Sequence, residues 1–151
     1  MRQDRRRQFL IATGALLAAP RGAMAQKRNV RIGALAPRRN SVFLPHALKR
    51  LAELGYVEGK NMVLDFRSAD GVVERFPLLA RELIEAKCDL IFAVGAEPAA
   101  LALVEAKSRI PVVLIANDYD PVKAGIVSNL RRPGGLVTGV TGVGHDLAHD
   151  F

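Results

Sequence analysis

From Val30 onward the chain alternates between two hydrophobic periods, and that alternation restricts the fold more than any other feature. "VRIGAL" (Val30–Leu35) is an apolar run of strand length; Leu44, Ala47, Leu48 and Leu51 then follow at i, i+3, i+4, i+7, the spacing of a helix with one apolar face. Gly55 stands where such a helix commonly stops. "MVLDFRS" (Met62–Ser68) alternates as a strand, and Phe76, Leu79, Ala80, Leu83 and Ile84 return to helical spacing. Pro77 is tolerable near a helix start, where the amides lack intrahelical partners. "LIFAVG" (Leu90–Gly95), "PAALALVEAK" (Pro98–Lys107) and "VVLIA" (Val112–Ala116) read as strand, helix and strand. A further helix is expected to open at Pro121 and end before "RRPGG", and "LVTGVTG" (Leu136–Gly142) supplies a fifth strand.

Strands and helices in strict turn imply an α/β fold: a three-layer sandwich with a parallel sheet of about five strands and helices on both faces. Strands covered on both sides need not alternate, which accounts for the unbroken apolar runs. With 151 residues, half of them hydrophobic and a quarter charged, the chain is about one folded domain. In sheets of this kind ligands bind outside the carboxyl ends of the strands, where the strand order reverses. Three segments are expected there: "APRRNSVF" (Ala36–Phe43), "GAEP" (Gly95–Pro98) and "NDYDP" (Asn117–Pro121).

These segments supply the candidate ligand-binding residues Ser41, Phe43, Gly95, Ala96, Glu97, Asp118, Tyr119 and Asp120. Asp120, ahead of Pro121, is suited to cap a helix, a role that can coexist with ligand contact. Asp118 could receive an ammonium group, or it is an ordinary acidic loop residue. Ser41 could cap the helix carrying Leu44 or hold a ligand carboxylate, since helix N-termini attract anions. Tyr119 could stack on a ring or stand in solvent, and Glu97 is a poorer cap than aspartate would be.

The first 25 residues are of another kind. A basic stretch (Arg2, Arg5, Arg6, Arg7) precedes an apolar run from Phe9 to Ala19, and "AMA" (Ala23–Ala25) follows ahead of Gln26. That is the layout of a secretory signal cleaved after Ala25, and "RRQFL" (Arg6–Leu10) resembles a twin-arginine signal. The apolar run is shorter than the roughly 20 residues a membrane span needs, and Gln26 occupies the place where a lipid anchor would need cysteine. The expected product is therefore periplasmic, with no stable membrane anchor. The leader holds five basic residues and one acidic; of the 22 basic and 15 acidic residues in the whole chain, 17 and 14 remain, a net +3. The basic pairs Lys27-Arg28, Arg38-Arg39 and Arg131-Arg132 are scattered, with no aromatic residues between them, which argues against nucleic-acid binding.

Cys88 is the single cysteine, so no internal disulfide can form, and it lies at the entrance of the third strand, away from the ligand edge. His145 and His149 are four residues apart, a helical metal-ligand spacing, but no third ligand is evident. Gly139, Gly142 and Gly144 neither follow a first strand nor open a clear helix, so they are not a dinucleotide fingerprint. No cofactor or metal is expected.

"LAELGYVEGKNMVLDFRSADG" (Leu51–Gly71), "ERFPLLARELIEAKCDLIFAVG" (Glu74–Gly95) and "DPVKAGIVSNLRRPGGLVTGVT" (Asp120–Thr141) resemble the substrate-binding proteins of a family of ABC importers. "LGYVEGKN" and the "RPGG" and "VTG" phrases carry the resemblance most specifically. It implies a flavodoxin-like sheet forming one lobe of a two-lobed periplasmic binding protein, closing on an amino acid or related amine or carboxylate and delivering it to ABC permease subunits. It also implies that the chain is not an enzyme. Family members continue into a second lobe near Phe151, so the expected organisation is an export signal over residues 1–25, a ligand-binding lobe over 26–142, and the start of a hinge over 143–151, as a truncated or frame-shifted gene would produce. Two other classes remain open: a small α/β enzyme using the acidic loop residues, and the sensing lobe of a regulator. The first lacks a visible nucleophile-and-base pair; the second has an export signal where a DNA-binding unit would stand.

Overall fold

The computed structural model of the chain describes residues 29–40 and 42–142. Five strands, β1 (Val30–Ala36), β2 (Met62–Ser68), β3 (Leu90–Gly95), β4 (Val112–Ala116) and β5 (Val137–Thr141), form one sheet in the order β2-β1-β3-β4-β5. All neighbouring pairs are parallel. Three helices connect them: α1 (Phe43–Glu53), α2 (Phe76–Glu85), preceded by a single 3-10 turn (Val73–Arg75), and α3 (Glu97–Glu105). This is the three-layer α/β arrangement that the alternating periods require.

The registers divide the strand residues between two faces. Leu35, Ile91, Ala93, Val112 and Leu114 point toward α2 and α3, where Phe76, Leu79, Ala80, Leu83, Ala99, Ala100 and Leu103 complete the main core. Gly33 lies in this face because a side chain there would press within 3.1 Å of Cys88 Sγ and of Ile91. The opposite face carries a smaller cluster of Ala36, Val94 and Ile115, against which Phe43, Phe66, Phe92 and Val113 pack. Phe43 is the first residue of α1, and its ring meets Phe92 edge-on at 5.6 Å between centroids. None of the residues of α1 is fully buried, so this helix covers its face more loosely than α2 and α3 cover theirs.

Gly55 ends α1 in the expected role: its φ is +89°, and the amides of Gly55 and Tyr56 reach back to the carbonyls of Ala52 and Leu51. Two expectations change. The stretch after Pro121 is a turn over residues 121–125, not a helix. Ala124 N–H donates to the Asp120 carbonyl and Ile126 N–H to the Pro121 carbonyl, closing one turn; Gly125, at φ +70°, then takes the left-handed conformation that stops further helical bonding. Ile126 and Val127 are thereby turned into the main core. β5 also lacks cover on both sides: Thr138, Gly139 and Val140 are exposed, Val140 by 64%.

Leu83 and Leu78 share α2 but are 0% and 59% exposed. Leu83→Ala is expected to lower unfolding free energy by about 2–5 kcal/mol and Leu78→Ala by no more than about 0.5, measured by urea denaturation.

Candidate functional site

The order β2-β1-β3 means that the chain leaves β1 toward one edge of the sheet and, after β2, returns to build the other side from β3. The connections leaving β1 and β3 therefore diverge at their carboxyl ends, and a gap opens between them. A cleft of about 290 Å³ lies there. Pro37, Arg38 and Asn40 after β1 form one side, Val42 and Phe43 at the start of α1 the roof, and Val94 and Gly95 of β3 with Asn117 after β4 the other side.

Gly95 forms part of the cleft wall in a backbone conformation that disfavours a side chain. Its φ of +85° is strained for any residue with a side chain, and a Cβ there would stand 3.8 Å from the Asn117 amide nitrogen and from Pro37. The Asn117 backbone N–H donates to the Gly95 carbonyl at 3.2 Å, which ties the ends of β3 and β4 together beside the cleft. Arg38 has its guanidinium beside the β2 turn: a Cβ on Gly71 would lie 3.4 Å from Arg38 Nη2. The acid of that turn is already engaged. Asp70 accepts from the Ser68 hydroxyl at 2.6 Å and from Arg75 Nη1 at 3.1 Å, and these bonds, the Ser68 one foremost, hold its carboxyl below the usual aspartate range.

Of the eight candidate residues, Phe43 and Gly95 line the cleft. Ala96 and Tyr119 pack instead against the core on the α2–α3 side. The Tyr119 hydroxyl is buried with no hydrogen-bond partner among the described residues, and burial, with the Glu97 carboxylate adding to it, pushes its phenol up. Glu97 sits in the first turn of α3, where a negative charge suits the helix dipole. Asp120 Oδ1 accepts from the amides of Val122 at 2.8 Å and Lys123 at 3.2 Å, so its carboxylate closes the turn that follows. Asp118 is exposed, at φ +58°. Ser41, His145 and His149 lie outside the described residues.

Arg38, Asn40 and Asn117 are cleft residues that the sequence reading placed on the right segments without singling out. The signal was position: Asn117 is the first residue past β4, whereas Asp118 to Asp120 already belong to the turn leading away. Cys88 is buried in the main core, and burial first of all pushes its thiol up. Among the described residues no group of three His, Cys, Asp or Glu could hold a metal ion.

A model of the family described as ABC transporter substrate binding protein matches residues 46–149. The tyrosine-binding protein of Clostridioides difficile (strain R20291) is 36% identical over 94 residues, 62% of this chain and 27% of that one. Among solved structures, a conserved domain protein from Vibrio cholerae O1 biovar El Tor superposes with TM-score 0.70 at 29% identity, over 76% of this chain and 39% of its own. An ABC domain from Streptococcus pneumoniae in complex with L-Trp gives 0.64 at 31% identity, over 75% and 38%. A ligand-free, open substrate-binding protein with adhesive properties from Clostridium difficile gives 0.66 at 29%, over 74% and 38%. The chain thus spans about a quarter of the tyrosine-binding protein and less than two fifths of these structures.

Two outcomes follow from the geometry. Gly95→Val is expected to cost about 1–2 kcal/mol of stability, read by thermal unfolding, because a β-branched residue is forced to positive φ while its side chain fills the cleft. Cys88 is expected to resist iodoacetamide at pH 9 in the native chain and to label quickly in urea; equal rates, followed by mass spectrometry, would place the thiol outside the core.

Proposed function

The chain belongs to the family of ABC transporter substrate-binding proteins, and from that membership we propose that its sheet edge supplies one wall of a site for an amino-acid-like small molecule, in the solute-capturing component of an ABC importer. The observation that carries this reading is the cleft between the ends of β1 and β3, where a doubly wound sheet offers its ligand crevice. Relatives support the ligand class: one is a tyrosine-binding protein and another was solved with L-Trp. Phe43 and the flanking valines, Val42 and Val94, suit an apolar or aromatic body, and the amides of Asn40 and Asn117 suit its polar end.

In this reading the protein captures its ligand and transforms nothing. Residues 1–25 act as the export signal, cleaved after Ala25, which delivers residues 26–142 to the periplasm as the binding lobe. Residues 143–151 begin the crossover toward a second lobe that closes over the ligand, and the ABC permease receives the closed form. No helix among the described residues is long and apolar enough to cross a membrane.

A one-walled site leaves much of the ligand in water, so the 151-residue chain is expected to bind weakly, with Kd on the order of 0.1–1 mM. Titrating the ¹⁵N-labelled chain with L-tyrosine and L-tryptophan should give saturable shifts of the Gly95 and Asn117 amides. No saturable shift at either amide, with any proteinogenic amino acid at about 10 mM, would contradict the proposal.

A further inference from the structure

The charges around the cleft are one-sided. Among its described lining residues Arg38 is the only ionisable one, and no carboxylate joins it. Neighbouring acids lie outside this lining: Asp70 is bonded to Ser68 and Arg75, Asp120 to the amides of Val122 and Lys123, Glu97 stands in the first turn of α3, and Asp118, next to Asn117, is exposed beyond the cleft lining. Arginines 31, 50, 67 and 75 are each paired with a carboxylate; Arg38, like Arg39, Arg81 and Arg109, is in none of the ion pairs among the described residues, and of these four it is the one that lines the cleft. Its position is nevertheless defined. It follows β1 by two residues, and its guanidinium lies over the side-chain-free face of Gly71.

A planar guanidinium carried by a residue of a largely apolar cleft wall is complementary to a carboxylate, which it can hold through two parallel N–H donors. The amides of Asn40 and Asn117 can donate to the same group or accept from a neighbouring one. Nothing among the described lining residues offers a negative charge to an ammonium group. Resting on the proposed ligand-binding role of this cleft, we infer that Arg38 is the residue that reads the ligand's carboxylate. The substrate class of this wall is then a monocarboxylate with an apolar or aromatic body, recognised here without regard to its amine.

Three probes with one ring separate the two ends of the ligand: L-tyrosine, its des-amino relative 3-(4-hydroxyphenyl)propionate, and its decarboxylated relative tyramine. Titrated into the ¹⁵N-labelled 151-residue chain and read at Gly95 and Asn117, the two acids should bind within about threefold of each other and tyramine about tenfold or more weakly. Arg38→Met should weaken both acids about tenfold and leave tyramine unchanged, Arg38→Lys should restore part of the loss, and Arg39→Met should change none of the three. Arg38 is exposed, and unaltered amide dispersion elsewhere checks that each variant folds. Tyramine binding as tightly as L-tyrosine, or Arg38→Met leaving L-tyrosine affinity unchanged, would overturn the inference while the cleft remains a binding site. If no probe moves Gly95 or Asn117, the binding role itself fails and the inference with it.

Discussion

The divergence of the chain at the ends of β1 and β3 is the constraint on which the remaining structure depends. Five parallel strands need crossovers, and right-handed crossovers on both faces leave one place where successive connections turn apart. The main core makes that place rigid. Leu35, Ile91, Ala93 and Leu114 clamp the strands against α2 and α3, so the residues one or two steps past each strand are held in fixed relation. Pro37, Gly95 and Asn117 meet across the gap for that reason, not through direct bonding of side chains to one another.

The two faces of the sheet are unequal. Among the described residues one carries a cluster of seventeen buried residues; the cluster on the other is smaller, with three buried residues and Phe43, Phe66, Phe92 and Val113 packed partly buried against it. The cleft opens at the end of the sheet with its roof at the start of α1, on the looser side. A wall built at the margin of loose packing can adjust to a ligand at lower cost than one set in the main core, since fewer close contacts must shift.

Much of the fold was legible in the sequence because its elements obey local rules. β2, β3 and β4 have the bounds that their apolar runs mark, and α1 stops at Gly55, as a left-handed glycine requires. The stretch after Pro121 was not legible: Ile126 and Val127 carry an apolar signal that suits a helix, but Gly125 closes a single turn and sends them straight into the core. Site residues were legible by segment and not by identity. Whether Asn117 or Asp118 reaches the gap depends on a reversal of one residue's φ to +58°, and whether the Asp120 carboxylate is available depends on two amides within its own turn. The aspartates after β4 look like ligands in a linear string, yet in three dimensions the aspartate at 120 is a capping group and the charge left at the cleft is positive.

The central claim is that a small apolar or aromatic acid lies between the ends of β1 and β3, and not on the uncovered sheet face beside β5. Intermolecular nuclear Overhauser contacts from bound L-tyrosine ring protons test it most directly. If the cleft is the site, cross-peaks should reach the methyl groups of Val42 and Val94; cross-peaks confined to Val140, which is 64% exposed on that uncovered face, would contradict it.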